Sequence, residues 1–132
     1  ADVNHFNAAG SMGFLIRELL DGGVSPGQIA ILCHNRWHVE RWGGWQKHGI
    51  YAQHFEKMKG LEFAAVFMPH LQDSFPTPND PDAVTVMRRK IFTAMTRARF
   101  RLILSYYGML PKPLEPLLEN MWCESYTPAV ER

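Results

Sequence analysis

The spacing of apolar residues near the start of the chain predicts an amphipathic helix followed by a buried strand. Five apolar residues recur at intervals of three and four, which places them on one helix face: Met12, Leu15, Ile16, Leu19 and Leu20. Ser11 is suited to cap the first turn, and Gly22-Gly23 to end the helix, because glycine adopts a positive φ readily. The run IAILC at 29–33 is wholly apolar, which is typical of a strand covered on both faces.

The rest of the pattern alternates helices with strands. In chain order it predicts a helix over 36–47, a strand over 51–55, a strand over 63–68, a helix over 80–98, a strand over 101–106 and a helix over 114–121. Gly43-Gly44 disfavours the first of these helices, whereas Asp80-Pro81 is a strong start for the second. This alternation predicts an α/β, three-layer domain with a mainly parallel sheet and helices on both faces.

Composition narrows the class of protein without selecting a function. The 132 residues are 46% hydrophobic, which suits one globular domain, and we expect an irregular segment over 1–10, the domain over 11–122 and a tail over 123–132. The formal net charge of +1 excludes an overall field that draws in nucleic acid or an anionic membrane. The N-terminus lacks the features of a signal peptide, and two cysteines make no disulfide framework, so we expect a cytoplasmic location and no membrane partner.

The segment Lys59-Gly60-Leu61-Glu62-Phe63 is the first candidate for chemistry. Its glycine lets the backbone approach a ligand closely, its lysine suits a phosphate, and its carboxylate suits the hydroxyls of a ribose. On spacing alone, a tight turn before a buried strand is the commoner explanation of such a segment.

The second candidate is the basic stretch 88–101, which holds six of the 14 Lys and Arg residues. On a helix, Lys90, Thr93 and Arg97 share one face. Arg97 ends the helix, and we expect it near the carboxyl edge of the sheet, where ligands of open α/β sheets bind. A guanidinium there suits a γ-phosphate, although a solvated basic face is an equally good interpretation of the spacing.

Other motifs are missing or point to the core. The chain has no G-x-x-x-x-G-K-[ST] loop, so it has no triphosphate cradle of that type. His34 and His38 straddle a strand end, which makes a zinc site improbable, and we predict no metal. Cys33 is expected to be an inert core residue. The tryptophans of 37–45 suit the core better than base stacking, although exposed ones would suit a partner protein.

Taken in order, three segments resemble the C-terminal part of UvrD/Rep-like superfamily 1 DNA helicases, over roughly residues 12–107. They are FLIRELLDGGVSPGQIAIL, MKGLEFAAVF and MRRKIFTAMTRARFRLILSY. The resemblance implies the second RecA-like domain, which is of the P-loop NTPase type but lacks a Walker A loop. Such a domain closes over ATP and Mg²⁺ that are bound mainly by an N-terminal RecA-like domain.

The resemblance also implies roles for individual residues at the ATP site. Arg97 corresponds to the arginine finger of motif VI, with Thr96 beside it. In motif V, Glu62 faces the ribose and Gly60 lies between nucleotide and DNA contacts. Either Arg36 or Arg41 would be the arginine near motif IV, and the sequence leaves that choice open.

Single-stranded DNA is the second partner that the resemblance implies, through Lys57, Lys59 and His54. The family's Thr-x-His pattern before the glycine reads His54, Phe55, Glu56 here, so a negative charge replaces a residue that grips DNA. The helical insertion that many members carry before motif V is also missing.

The sequence therefore predicts the C-terminal domain of an ATP-dependent DNA helicase or translocase, inactive by itself and weak in DNA binding. The alternative is a non-catalytic, helicase-derived module for protein interaction or regulation.

Overall fold

Four parallel strands form one sheet in the computed structural model, which describes residues 13–35, 39–40, 42–57, 60–71, 74–75, 80–106 and 111–118. The strands are β1 (Ile29–Cys33), β2 (Tyr51–His54), β3 (Phe63–Met68) and β4 (Ala98–Leu104), in the spatial order β2-β1-β3-β4. Every neighbouring pair is parallel. The predicted parallel sheet is therefore confirmed.

Three of the helices are α1 (13–21), α2 (Pro81–Met95) and the short α3 (Glu115–Leu118). At the end of α1, Gly23 has a φ of 98°, and the backbone N–H groups of Gly23 and Val24 donate to the carbonyls of Leu20 and Leu19. These paired bonds end the helix at the predicted glycines. The start of α2 is also confirmed, because Asp80 accepts from the backbone N–H groups at 82 and 83.

Two hydrophobic cores cover the two faces of the sheet, because alternate strand residues point to opposite sides. The α2 side is built from Ala30, Leu32, Phe55, Phe63, Val66, Met68, Leu71, Ile91, Ala94, Met95 and Leu114. The α1 side is built from Ile16, Ile29, Ile31, Cys33, Trp42, Ile50, Ala52, Ala65 and Phe67. The three-layer α/β architecture is confirmed.

Several predicted elements differ from the structure in their bounds or in their type. Over 36–47, residues 39, 40 and 42 are helical, but Gly43–His48 is a 3₁₀-helix, because the glycine pair weakens a continuous α-helix. The helix predicted to reach 98 ends at Met95, and β4 begins three residues before the predicted 101, because Ala98 already pairs with Phe63. The C-terminal helix is preceded by the 3₁₀-helix Lys112–Leu114. The predicted cap at Ser11 and the segments 1–10 and 123–132 lie outside the described residues.

Candidate functional site

The two candidate segments meet at one edge of the sheet. The Phe63 backbone N–H, which opens β3, donates to the Arg97 carbonyl at 2.8 Å, and Phe63 pairs with Ala98 in β4. Gly60 has a φ of 79°, a conformation that favours glycine, and so turns the chain into β3. Gly60 and Glu62 therefore precede β3, and Thr96 and Arg97 precede β4, the neighbouring strand.

This edge is the amino edge of the sheet, so the prediction that Arg97 lies near the carboxyl edge is wrong. Helix α2 starts after β3 has ended and returns the chain to the beginning of β4. Because β3 and β4 are parallel, Glu62 and Arg97 both precede the first residues of their strands. Glu62 and Arg97 are thus close together because β3 and β4 are neighbours. The general rule that ligands bind at the carboxyl ends of strands in open sheets does not place them there.

The Arg97 side chain is partly ordered by its neighbours. Arg97 Nη2 donates to the Thr96 hydroxyl at 3.2 Å, and that hydroxyl donates to the Thr93 carbonyl at 2.7 Å. Arg97 Nε is buried and has no hydrogen-bond partner among the described residues. A buried donor without a partner is unfavourable.

An open groove of about 540 Å³ lies beside Glu62 along the amino ends of β1, β2 and β3. Its floor includes the stacked rings of Tyr51 and Phe63, whose centroids are 5.3 Å apart. The residues that line the groove are Gly27, Gln28, Gln46, Gly49, Ile50, Tyr51, Ala52, Gln53, Leu61, Glu62 and Phe63. Sequence reasoning missed the groove because these residues come from separate segments that share no periodic signal.

The DNA-binding candidates lie at the end of β2 and directly after it. His54 is its last residue and pairs with Cys33, the last residue of β1. The 3₁₀-helix Phe55–Lys57 then crosses the α2 face, with the Phe55 side chain in the core and the Lys57 carbonyl accepting from the Tyr51 hydroxyl at 3.0 Å. His54 and Lys57 are therefore close together, whereas Lys59, Arg36 and Arg41 lie outside the described residues.

Glu56, the residue that departs from the family pattern, is paired with a lysine on α2. Its carboxylate forms an ion pair with Lys90 Nζ. The hydrogen bond from Lys90 lowers the pKa of the Glu56 carboxyl below its ordinary value, aided by the positive charge of that lysine. Sequence analysis left the role of the Lys90 face open and missed this pair, since nothing in the spacing links the two residues.

Cys33 and Trp42 belong to the interior, whereas Trp45 is partly exposed. Cys33 is fully buried, and this burial raises the pKa of its thiol to about 12, as expected of an inert residue. Trp42 is only 5% exposed, so it packs in the α1-side core and offers no surface for a partner. Trp37, His38 and Cys123 lie outside the described residues.

Within the ranges that the structure describes, no group of three or more His, Cys, Asp or Glu side chains is arranged to hold a metal ion. In the same part of the chain, every helix is too short or too polar to cross a membrane.

Comparisons with known proteins bear on the same part of the chain. Residues 54–108 match the family described as the UvrD-like helicase C-terminal domain, a range that contains both candidate segments. A solved structure, the C-terminal domain of a possible DNA helicase from Lactobacillus plantarum WCFS1, has a similar fold. The TM-score is 0.64 over 82% of this chain and 71% of that chain, at 17% sequence identity.

A curated relative is similar over a much shorter stretch. The phosphogluconate dehydratase of Pseudomonas aeruginosa PAO1 is 75% identical over 24 residues, which are 18% of this chain and 4% of that enzyme. This local likeness spans too little of either protein to support an argument about function.

Proposed function

Because residues 54–108 and the fold both resemble the C-terminal domain of UvrD-like helicases, we propose that this chain is the second RecA-like domain of an ATP-dependent DNA helicase or translocase. The observation that carries the proposal is the 2.8 Å hydrogen bond from Phe63 N–H to the Arg97 carbonyl. This bond joins the segment before β3 to the turn before β4, and so brings both sets of candidate residues to one edge.

In this proposal, the amino edge faces ATP held by an N-terminal RecA-like domain. Arg97 donates to the γ-phosphate oxygens and stabilises the charge that develops during phosphoryl transfer. Thr96 orients the guanidinium through its hydroxyl, Glu62 accepts from the ribose, and Gly60 permits close approach of the backbone.

The remaining parts of the reaction belong to other residues and to the N-terminal domain. That domain supplies the phosphate-binding loop and the Mg²⁺ ligands, while Arg36 or Arg41 adds a further arginine. His54, Lys57 and Lys59 contact single-stranded DNA, and hydrolysis opens and closes the cleft between the domains. This chain alone hydrolyses no ATP and binds DNA weakly, because phosphate contacts by basic residues supply most non-specific affinity.

The test is the DNA-stimulated ATPase activity of the full-length protein that contains this chain, with and without Arg97→Ala. We expect the substitution to leave ATP binding nearly intact and to lower turnover about 10³-fold or more, as loss of an arginine finger does. Arg17→Ala is the matched control, because Arg17 is exposed on α1, on the opposite face of the sheet. It should leave turnover unchanged.

Two results would count against the proposal. Equal turnover in the wild type and Arg97→Ala would remove the arginine from the reaction. No stimulated activity in a folded wild-type protein would favour the non-catalytic interaction module instead.

A further inference from the structure

Glu56, in the segment that follows β2, contacts the side chain of Lys90 and lies near the ring of His54. Glu56 forms its ion pair with Lys90 from α2, and both side chains remain partly exposed, at 45% and 42%. Lys57 follows Glu56 directly in the same 3₁₀-helix, and His54 precedes Glu56 by two residues. One carboxylate is therefore in contact with one basic side chain, near a second, and next in sequence to a third.

A hydrogen bond to Nδ1 of His54 leaves Nε2 as the donor of the neutral ring. Its Nδ1 accepts from the Glu56 backbone N–H at 3.1 Å, so the proton of the neutral ring is on Nε2. The same Nδ1 lies 3.9 Å from the Glu56 carboxylate, which keeps the ring next to the ion pair. The position of the ring is thus fixed by the backbone of the residue whose side chain contacts Lys90.

We propose that His54, Lys57 and Lys90 form a phosphate-binding site for single-stranded DNA, and that the Glu56 carboxylate occupies this site in place of a phosphate. The inference rests on the proposed function for the identity of the ligand, and it adds Lys90 and the competing Glu56 to the DNA-binding residues. Carboxylates and phosphates accept from the same ammonium donors, so the two compete for Lys90.

The ion pair between Glu56 and Lys90 is weak enough for a DNA phosphate to displace the carboxylate. An ion pair between partly exposed side chains contributes little to stability, because water and salt screen it. A DNA phosphate can therefore replace the carboxylate without disrupting the fold, since Phe55 anchors the segment in the core independently. Glu56 lowers the affinity for DNA by occupying Lys90 and by repelling the incoming phosphate.

The experiment measures binding of a fluorescein-labelled 20-mer of thymidylate to the full-length protein, without nucleotide and over a series of salt concentrations. We expect Glu56→Gln to tighten binding about three- to tenfold at low salt. The slope of log affinity against log salt should steepen by about 0.7, the value for one further phosphate contact in a single strand. Adding Lys90→Gln should remove both gains.

Glu18→Gln is the matched control, because it makes the same change of charge on an exposed residue of α1, on the opposite face. Circular dichroism checks that each variant is folded. Equal tightening by Glu18→Gln and Glu56→Gln would overturn the proposal in favour of a general charge effect. Tightening that persists in Glu56→Gln/Lys90→Gln would remove Lys90 from the site, and a Glu56→Gln variant that binds no more tightly than the wild type would overturn the competition.

The outcome is independent of the ATPase test. If Glu56→Gln changes nothing while Arg97→Ala abolishes turnover, the further inference fails and the helicase function stands. If Glu56→Gln tightens binding while Arg97→Ala has no effect, the DNA site stands and the role of the amino edge fails.

Discussion

At the scale of single residues, Glu56 keeps its charge to lower pH than an isolated glutamate because Lys90 donates a hydrogen bond to it. A carboxyl whose pKa is lowered by folding stabilises the native state above its unfolded pKa, and that stabilisation is lost as the pH falls through the folded pKa. The ion pair therefore contributes at neutral pH and not in acid.

We expect the wild type to be more stable than Glu56→Gln at pH 7, by less than about 1 kcal/mol because the pair is exposed. The difference should begin to shrink as the pH falls below about 4.5, the ordinary pKa of the carboxyl, and should be lost as the pH falls through the lower pKa of the folded state. Urea unfolding at several pH values between 3 and 7 measures this difference. A difference that grows in acid would contradict the assignment.

The residues of the candidate site differ in how far sequence predicts them. Glu62 and Arg97 lie in segments whose composition suggests a ligand, so they could be selected in advance. Their proximity depends on β3 and β4 being adjacent, which neither segment encodes locally. The contact of Glu56 with Lys90 could not be predicted from the sequence either, because it depends on where the segment after β2 crosses α2.

At the scale of elements, the start of α2 is fixed by local chemistry. The Asp80 carboxylate accepts from the backbone N–H groups of Asp82 and Ala83 at 3.1 and 3.2 Å, and Pro81 occupies the first helical position. These features depend on neighbouring residues, so sequence predicted them. The end of α2 depends instead on the pairing of Ala98 with a distant strand, and sequence placed it too late.

Asp80→Ala should lower the free energy of unfolding by about 1 kcal/mol, because two N–H groups of the first turn lose their acceptor. Asp80→Asn retains a side-chain oxygen and should lose much less. Chemical denaturation followed by circular dichroism compares the variants. An equal loss in both would mean that the negative charge, rather than the hydrogen bonds, supports the helix.

At the scale of the whole molecule, one sheet joins two cores. Ile91 is fully buried on the α2 side, whereas Trp42 is buried on the α1 side and senses the opposite core. Because both cores pack on the same four strands, loss of packing on one side should destabilise the other.

We expect Ile91→Ala to cost about 2–5 kcal/mol, through lost burial and the cavity that remains. Val86→Ala is the control on the same helix, because Val86 is 48% exposed, and it should cost less than about 0.5 kcal/mol. Denaturation should be followed by both circular dichroism and tryptophan fluorescence, in a background where Trp42 is the only one of the four tryptophans retained. If Ile91→Ala lowers the denaturation midpoint measured by circular dichroism but not the one measured by fluorescence, the two sides unfold separately.

The two outer strands of the described sheet bear on how the folded chain behaves at high concentration. β2 has only four residues, and the longer β4 is interrupted by a register shift opposite Phe63 and Ala65. Arg99 and Arg101 are exposed along β4. Long, regular and uncharged edges recruit strands from other molecules and begin fibrous aggregates. The short strand, the irregular pairing and the arginines therefore protect the folded chain against edge-to-edge polymerisation.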